Sequence, residues 1–356
     1  ILPHCPQRAI FGFNRIPFYD VEVDRFNFHW PVAFLVVLAV PIPQLTPTLN
    51  LTRASPARCP GPDSLEIDQR EITMAASPIA KGKPFNDADT QQIVDSLHRE
   101  GFVHIPSVLE SDEIVALRKK TDSLLDNPVL AARVNPDLHD RRYVQIKADT
   151  ETGAEHPFIL RNTIELDPIF LNMLLREPIL SLAEAIVGPN CRFCGQNVLR
   201  SSAGVAIENW HCDGGVHFPV PDDIPRHDAR IRPPVLWFTV QMALTDIETI
   251  EQGPTQYVPG SHFSGRQPNS QEHPEFEGQG PVSVFCKAGD IYLQDPQCWH
   301  RGAPNTSDRT RYLMQSQYAV DWAYRRFGWM NRIPVPEEHL STASDRLLEV
   351  LGRRRP

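Results

Sequence analysis

The sequence lacks the features of several protein classes. Its 356 residues carry a formal net charge of −9, and no run of basic residues is longer than three. A nucleic-acid-binding surface needs basic residues that neutralise phosphates, so we expect no nucleic-acid partner. The apolar run 32–40 lies between Pro31 and Pro41, and it has about half of the roughly 20 residues that a membrane-spanning helix needs. We therefore expect a globular protein without a membrane span.

Cysteine is also scarce, with seven residues in the chain. An odd number spread over this length does not make a disulfide framework, which favours a reducing compartment and a cytoplasmic location. Cys191 and Cys194 have the spacing of some redox and zinc sites. They lie in a segment that reads as a strand, where side chains three positions apart point to opposite faces. We expect two buried thiols without a redox or metal role.

The first 85 residues differ in composition from the rest of the chain. They hold 12 of the 34 prolines and show no helical or strand periodicity. We interpret residues 1–85 as a disordered leader, or as upstream sequence wrongly joined to a protein that naturally starts at Met74. An anchoring or targeting role is the alternative. Residues 86–352 are predicted to form a single domain.

The predicted domain opens with a helix, a strand and a second helix. Residues 90–100 carry apolar side chains at helical spacing, residues 102–106 read as a strand, and Ser111 is placed to cap the next helix. From about Arg141 onward, short alternating or apolar runs are separated by Gly, Pro, Asn and Asp. The predicted strands are RYVQIK, CRFCGQNVLR, VAIENWHCD (residues 205–213), VLWFTVQMAL, TQYVP, VSVF, DIYLQD and RYLMQSQYAV. Many short strands with turn signals between them are typical of a barrel or jelly roll. The sequence thus predicts a mainly β fold with flanking helices.

His211, Asp213 and His300 are the candidate metal ligands. Two imidazoles and one carboxylate, with positions left open, form the facial triad that suits non-haem Fe(II). The His-x-Asp pair is not specific alone, because 13 His and 24 Asp in 356 residues give about one chance match. On a strand, however, the two side chains share one face and can reach one ion. His300 follows His211 after 89 residues, which is far enough for a return strand to deliver the third ligand.

Arg311 is the candidate carboxylate anchor. It lies in an apolar segment eleven residues after His300, which we expect to form a strand beside the one that carries His300. A buried arginine needs an acidic partner because a lone buried charge is costly. A bound carboxylate matches the guanidinium fork. An internal salt bridge or an exposed side chain is the alternative, and Arg309, on the same face of the strand, is the rival candidate.

Four segments in order resemble the phytanoyl-CoA dioxygenase family of Fe(II)/2-oxoglutarate-dependent oxygenases. They are REGFVHIPSVLESDEI, NWHCDGG, EQGPTQYVPGSH and KAGDIYLQDPQCWHRGAPNTSDRTR, and the resemblance covers about residues 90–325. It implies a double-stranded β-helix, a jelly roll of the cupin-like type. It also implies that His211, Asp213 and His300 are Fe(II) ligands and that Arg311 holds the distal carboxylate of 2-oxoglutarate.

The chain departs from the family pattern beside the distal histidine. Some members place a hydroxyl two residues after that histidine to share the 2-oxoglutarate carboxylate, whereas this chain has Gly302. Thr239 and Ser316 are the candidates for the missing partner. Gln196, on a strand before His211 and Asp213, is the candidate hydrogen-bond donor to the C1 carboxylate of 2-oxoglutarate.

The segment 214–234 is the predicted lid. It is rich in proline, lacks periodicity and follows the proximal ligands, where functional loops concentrate. Its arginines could bind a substrate carboxylate or phosphate, but pairing with nearby aspartates is favoured. The residues concerned are Arg226, Arg230 and Arg232 with Asp222, Asp223 and Asp228.

The resemblance implies an enzyme that couples oxidation of a small-molecule substrate to the conversion of 2-oxoglutarate and O2 into succinate and CO2. Hydroxylation of a small hydrophobic metabolite in specialised metabolism, such as a polyketide, terpenoid or alkaloid, is favoured. Three alternatives stay open: an acyl-CoA 2-hydroxylase, a cupin-type metalloenzyme without 2-oxoglutarate, and a non-catalytic metabolite-binding relative. The preference for a hydrophobic metabolite rests on the aromatic residues Trp210, Trp237, Phe238 and Trp299.

Overall fold

The structure, a computed structural model, describes residues 82–353 except 133, 136–139, 142, 149–151, 229 and 332. Apart from residues 82–85, the expected leader 1–85 and the start at Met74 therefore lie outside the described residues. The predicted domain, 86–352, falls within the described range. Among the described residues, every helix is too short or too polar to cross a bilayer.

Helices flank the strands at both ends of the described chain. Helix α1 (Asp87–Glu100) is capped by the Asn86 side chain and ends at Gly101, which has a φ of 83°. Glycine adopts this left-handed conformation without strain, so the helix can stop there. The next helix is capped by Glu110 in a capping box, and not by Ser111 as predicted. The remaining helices are α2 Ser111–Leu125, α3 Pro128–Ala132, α4 Pro168–Asn172, α5 Ile179–Val187, α6 Asp321–Arg326, α7 Glu337–Ser341 and α8 Asp345–Val350.

Most strands are short, as expected from the frequent Gly, Pro and Asn residues between them. The predicted strands CRFCGQNVLR, VLWFTVQMAL and RYLMQSQYAV are all present. The strands are β1 Phe102–Ile105, β2 Val134–Asn135, β3 Asp140–Arg141, β4 Val144–Ala148, β5 Glu155–Arg161, β6 Arg192–Ser201, β7 Trp237–Ala243, β8 Thr255–Tyr257, β9 Val282–Ser283, β10 Ile291–Gln294, β11 His300–Gly302 and β12 Arg311–Ala319.

The described strands form three antiparallel sheets; two of them give the jelly-roll fold, and the third is the β2-β3 pair. The main sheet has the order β1-β10-β7-β12-β6-β5-β4, and the small sheet has the order β11-β8-β9. His211 extends the small sheet, because its backbone exchanges two hydrogen bonds of 3.0 Å with His300. Strands distant in sequence are neighbours in both sheets, as in a jelly roll and unlike a meander. The prediction of a mainly β, double-stranded β-helix fold with flanking helices is confirmed.

The main sheet has two faces of different composition. The outer face packs under the helices, and the inner face lies toward the small sheet; along each strand, successive side chains alternate between them. The central strands place Phe238, Val240, Met242, Ile291, Leu293, Met314 and Tyr318 on the outer face. They place Thr239, Gln241, Tyr292, Gln294, Arg311, Leu313, Gln315 and Gln317 on the inner face.

Two local predictions are wrong. Residues 205–213 do not form a strand; His211 alone makes a bridge, and the carbonyl of Asn209 is engaged by the His211 ring instead of a neighbouring strand. Arg311 does not lie on a strand beside the one that carries His300. Its strand, β12, lies in the main sheet between β6 and β7, whereas His300 belongs to the small sheet.

Cys191 and Cys194 are free and buried, as predicted. Cys191 packs in the outer-face core, and Cys194 packs in a separate cluster with Trp237. Burial raises the pKa of the Cys191 thiol to about 12. A thiol that stays protonated at neutral pH is a poor nucleophile and metal ligand, which fits a structural role.

Candidate active site

His211, Asp213 and His300 converge between the two sheets. Their ligand atoms all lie within 4.8 Å of one another. Asp213 Oδ1 is 3.5 Å from His211 Nε2, and Asp213 Oδ2 is 3.6 Å from His300 Nε2. Two imidazole nitrogens and one carboxylate therefore face a common centre, and this donor set fits a divalent transition metal such as Fe(II).

Backbone carbonyls orient both imidazole rings. His211 Nδ1 lies 2.8 Å from the Asn209 carbonyl oxygen, and His300 Nδ1 lies 2.8 Å from the Cys298 carbonyl oxygen. A protonated Nδ1 donates to each carbonyl and turns Nε2 toward the common centre. Gln294 Nε2 lies 3.0 Å from His300 Nε2, so a metal bound there would replace this contact.

The three groups depend on one another electrostatically. Burial lowers the pKa of His211, but the hydrogen bond and charge of Asp213 outweigh burial and raise it. Burial raises the pKa of Asp213, but the neighbouring charges of His300 and His211 hold it well below its usual range. Asp213 therefore stays ionised because positive charge lies beside it, and a bound divalent ion would supply that charge in place of an imidazole proton.

A chain of buried amides supports Asp213. Gln294 is fully buried, and its Nε2 donates to Asp213 Oδ2 at 3.1 Å. Its Oε1 accepts from Tyr257 Oη at 2.7 Å and from Gln241 Nε2 at 2.8 Å. Because two donors occupy the amide oxygen, the NH2 group of Gln294 faces Asp213. Gln315 Nε2 in turn donates to Gln241 Oε1 at 3.1 Å, which fixes the next amide.

Arg311 is 4% exposed and has no acidic partner among the residues that the structure describes. Its Nη1 donates to the Gly253 carbonyl, its Nη2 lies 3.4 Å from Ser201 Oγ, and its Nε has no hydrogen-bond partner. Burial lowers the pKa of Arg311, since desolvation disfavours the cation. The rival candidate, Arg309, is exposed. A buried cation with a free donor fits an anionic ligand.

The strand register sets Arg311 and the candidate metal ligands at different levels of the inner face. Thr239 pairs with Gln294, which contacts Asp213, so Thr239 lies at the level of the metal ligands. Thr239 also pairs with Gln317, and Arg311 lies six residues earlier on the same strand. The Arg311 guanidinium nevertheless lies close to the candidate metal ligands, because a Cβ at Gly302, two residues after His300, would lie 3.6 Å from its Nη2. A ligand that contacts both the metal and Arg311 would therefore lie between His300 and this guanidinium.

The structure corrects the predicted role of Gln196. Its Oε1 accepts from Thr163 Oγ1 at 2.5 Å, and its Nε2 donates to the Phe170 carbonyl at 3.2 Å and to Ser316 Oγ at 3.0 Å. These contacts lie on the outer face, under the helices. Gln196 and Ser316 therefore point away from the candidate metal site and cannot bind a carboxylate there.

Ser201 is the hydroxyl that lies beside Arg311. It is fully buried and pairs with Arg311 across β6 and β12. Gly302 borders the same guanidinium, because a Cβ at this position would lie 3.6 Å from Arg311 Nη2. Ser201, on another strand, thus supplies a hydroxyl beside the guanidinium that position 302 does not supply. Thr239, the other predicted partner, lies at the level of the metal ligands instead.

The predicted lid, 214–234, contains no helix or strand in its described residues. The backbone of His227 donates to the Phe263 carbonyl at 2.8 Å. The Arg266 guanidinium donates to three carbonyl oxygens of the segment, those of Pro221, Ile224 and Pro225. The segment is thus held against residues 263–266, and its opening stays a prediction.

The three arginines of the predicted lid are all paired with carboxylates. One partner lies within the segment, as predicted, whereas the other two come from other parts of the chain. A phosphate or carboxylate ligand would have to compete with these partners. The pairs are Arg226–Glu277, Arg230–Asp228 and Arg232–Asp95.

Only one of the four aromatic residues expected at the site lies on the inner face. Trp237 precedes Thr239 by two positions and shares its face. Trp210 and Trp299 pack together on the other side of the small sheet, since they alternate with the inward-pointing histidines. Phe238 lies in the outer-face core. The aromatic residues therefore give little support to a hydrophobic substrate.

Sequence reasoning missed the amide chain of Gln241, Gln294 and Gln315, together with Tyr257. The available signal was polar residues at alternate positions of otherwise apolar strands, which predicts a polar surface on one face. That these surfaces meet at Asp213 follows only from the pairing of strands far apart in sequence.

One family model matches most of the described domain. It is described as Phytanoyl-CoA dioxygenase (PhyH), and the match covers residues 97–313. Two curated relatives are uncharacterized proteins, Rv1501 of Mycobacterium tuberculosis and Mb1539 of Mycobacterium bovis. Each is 24% identical over 244 residues, which is 65% of this chain and 76% of the relative.

Several solved structures are similar to this chain. SnoN, an α-ketoglutarate-dependent epimerase from nogalamycin biosynthesis, is 20% identical with a TM-score of 0.48, covering 65% of this chain and 83% of SnoN. HygX of Streptomyces hygroscopicus, solved with nickel, 2-oxoglutarate and hygromycin B, is 18% identical with a TM-score of 0.45. That match covers 66% of this chain and 87% of HygX.

Proposed function

Because this chain belongs to the phytanoyl-CoA dioxygenase family, whose members use Fe(II), 2-oxoglutarate and O2, we propose that it is an Fe(II)/2-oxoglutarate-dependent dioxygenase that hydroxylates a small molecule. The observation that carries the proposal is Arg311, a buried cation without an acidic partner in the described part of the chain. A three-ligand metal site alone fits many reactions. The unpaired arginine is what selects a co-substrate that bears a carboxylate.

The residues of the site have separate tasks in this proposal. His211 and His300 would hold Fe(II) through Nε2, and Asp213 through its carboxylate. When bound, Fe(II) and 2-oxoglutarate supply the oxidation of a substrate C–H bond by O2, coupled to decarboxylation to succinate. Gln294 donates to Asp213 Oδ2 and thereby favours metal binding through Oδ1.

Arg311 and Ser201 are the proposed anchor for the distal carboxylate of 2-oxoglutarate. The Nε of Arg311 is free to donate, and its Nη2 lies close to the Ser201 hydroxyl. Charge-assisted hydrogen bonds from a guanidinium are stronger than neutral ones, and they fix the orientation of a planar carboxylate. The anchor thus sets the co-substrate between this guanidinium and the candidate metal ligands, with its keto acid end toward His211, Asp213 and His300.

The paired arginines of the lid bear on the acyl-CoA alternative. Coenzyme A carries phosphates that need cationic partners, and the three nearest candidates in the segment 214–234 already have carboxylate partners. A compact metabolite without phosphates is therefore the proposed substrate class.

Anaerobic titration tests the proposal. Addition of Fe(II) and then 2-oxoglutarate should give the visible charge-transfer band of the chelate, and O2 should give succinate. Arg311→Ala removes the anchor and should weaken 2-oxoglutarate binding by at least about 30-fold, since truncating one partner of a buried charge pair costs about 2–5 kcal/mol.

Arg309→Ala is the matched control, because Arg309 lies two residues before Arg311, in the bend that precedes β12, and is exposed. It should leave the 2-oxoglutarate affinity within about twofold of the parent value, as expected for a surface charge. Equal affinities in the Arg311→Ala and Arg309→Ala variants would contradict the anchor. A charge-transfer band without succinate release would contradict the catalytic part of the proposal.

A further inference from the structure

The inner face of β7 extends beyond the candidate metal ligands in the direction away from Arg311. Thr239 lies at the level of the metal ligands, and Arg311 lies toward the far end of β7. Trp237, two residues before Thr239, lies in the opposite direction and pairs with Ala319. If the co-substrate occupies the side of Arg311, the prime substrate has to approach from the side of Trp237.

Two polar atoms on this side are buried without a partner. Trp237 is 3% exposed and Thr239 is 1% exposed, and neither Trp237 Nε1 nor Thr239 Oγ1 has a hydrogen-bond partner in the part of the chain that the structure describes. Leaving a buried polar group unpaired costs free energy that folding alone does not recover. Two such atoms, two residues apart and next to a candidate metal centre, indicate a ligand that completes them.

Gly214 brings the Trp237 ring close to the metal ligands. Gly214 directly follows Asp213 and has a φ of +68°, and a Cβ there would lie 3.7 Å from Trp237 Cζ2. Cζ2 is bonded to the ring carbon that carries Nε1, so the donor edge of the indole lies beside this glycine. The Nε2 of His217 would lie 3.3 Å from the same Cβ. Donor groups therefore border the residue next to Asp213.

An unpaired indole nitrogen is not by itself a ligand site. Trp210 Nε1 also lacks a partner, yet Trp210 lies on the other side of the small sheet, under the guanidinium of Arg301. What distinguishes Trp237 is its position on the inner face beside Asp213, with a second unpaired polar atom on the same strand.

The surroundings of Trp237 restrict the ligand further. The side chains packed with it are mostly apolar and include Leu236, Ala319 and Met330. An apolar wall disfavours a charged group, whereas a neutral oxygen on an apolar skeleton satisfies the donors and the wall together.

We propose that Trp237 and Thr239 form a hydrogen-bonding subsite for the prime substrate, and that this substrate is an apolar molecule with a neutral hydroxyl, ether or carbonyl oxygen near the carbon that reacts. The inference rests on the proposed function, and it changes the expected hydrophobic metabolite into an oxygenated one. A site built to pair such an oxygen rejects an analogue that lacks it, because the donors are then left unpaired.

The stability of two threonine variants tests the subsite without a prime substrate. Thr239→Val removes a hydroxyl that has no partner, so the urea midpoint of the holoprotein should stay equal or rise. Thr163 is equally buried, but its hydroxyl donates to Gln196, so Thr163→Val should lower the midpoint. A clear loss of stability in Thr239→Val would show a structural role for that hydroxyl and would overturn the proposal.

Indole N–H resonances test recognition directly, in protein loaded with diamagnetic Zn(II) and 2-oxoglutarate. The chain has six Trp, and loss of one signal in Trp237→Phe identifies Trp237. Acetophenone and benzyl alcohol should shift this signal, and toluene at the same concentration should not. The oxygenated probes should bind about three- to tenfold more tightly than toluene, as expected for one hydrogen bond.

Trp210→Phe is the control variant and should retain the preference for oxygenated probes, whereas Thr239→Val should reduce it. An unmoved Trp237 signal with all probes, or equal shifts with toluene, would overturn the subsite. The Fe(II) charge-transfer band is recorded separately. Its presence with an unmoved indole signal refutes the subsite alone, and its absence with a shifted indole signal refutes the proposed function alone.

Discussion

The two faces of the main sheet are built from the same strands and satisfy their polar groups differently. On the outer face, the amide of Gln196 makes hydrogen bonds to Thr163, to the Phe170 carbonyl and to Ser316, within an otherwise apolar core. On the inner face, Arg311 and Thr239 each keep a buried polar atom that no other described residue pairs. The Gln196 amide is thus satisfied within the folded chain, whereas the two inner-face atoms are left for the ligands that we propose.

The difference indicates where the protein gives up stability for function. A buried polar group without a partner costs about 1–3 kcal/mol, and such costs are tolerated where a ligand later removes them. Substitutions on the outer face should therefore act on folding, and substitutions on the inner face should act on ligand binding.

The largest effect is expected on the outer face. Phe238 is fully buried and stacks on Tyr318 with ring centroids 6.1 Å apart. Phe238→Ala should lower the free energy of unfolding by about 3–5 kcal/mol, because it removes a large side chain and leaves a cavity. Urea denaturation measures the loss. If the faces are separate, the 2-oxoglutarate affinity of the folded fraction stays within about twofold, and a larger change would show that they are coupled.

Gln294 provides the next test, on the inner face. Gln294→Leu removes the donor to Asp213 Oδ2, and loss of such an outer-shell partner typically costs about 10- to 100-fold in metal affinity. Anaerobic Fe(II) titration with a competing chelator measures the affinity. Unchanged Fe(II) affinity would mean that Gln241 and Tyr257 do not act on the metal ligands through this amide.

The same substitution at Gln196 is the matched experiment. Gln196 is 2% exposed and Gln294 is fully buried, so both are core glutamines on opposite faces. Gln196→Leu should cost about 1–2 kcal/mol of stability, since Thr163 and Ser316 lose their partner. Its affinities for Fe(II) and 2-oxoglutarate should match those of the parent protein. A selective loss of 2-oxoglutarate binding would restore the role that the sequence suggested for Gln196.

The positions of site residues could be predicted best where the evidence lies within one strand or one sequence motif. His211, Asp213 and His300 come together as predicted, and Arg311 is buried nearby without an acid. The outward position of Ser316 could also have been predicted, since an offset of five residues from Arg311 places it on the opposite face of a strand.

Other features depend on contacts between strands that are distant in sequence. Ser201 lies beside Arg311 only because β6 pairs with β12 in that register. Gln241 and Gln294 meet because β7 pairs with β10. Periodicity fixes which face a residue takes within its own strand, but it contains no information on which strands become neighbours. For that reason the convergence of His211, Asp213 and His300 could be predicted, whereas the amides that support Asp213 could not.

The smallest expected effect is on the pH dependence of protein stability, and it concerns the carboxyl group of Asp290. Burial raises the pKa of Asp290, but hydrogen bonds from the backbone N–H groups of Lys287 and Ser107 and from His104 outweigh burial and hold it below its usual value. A carboxyl with a depressed folded pKa stabilises the protein above its unfolded pKa, about 4, and this contribution is lost as the pH falls further.

Asp290→Asn should therefore lower the free energy of unfolding by about 1 kcal/mol at pH 7, and the difference from the parent protein should narrow below about pH 4. Urea midpoints of the two proteins at several pH values measure it, with Asp308→Asn, at an exposed position, as the control for removal of a surface carboxylate. A difference that widens on acidification would contradict the assignment of the lowered pKa to Asp290.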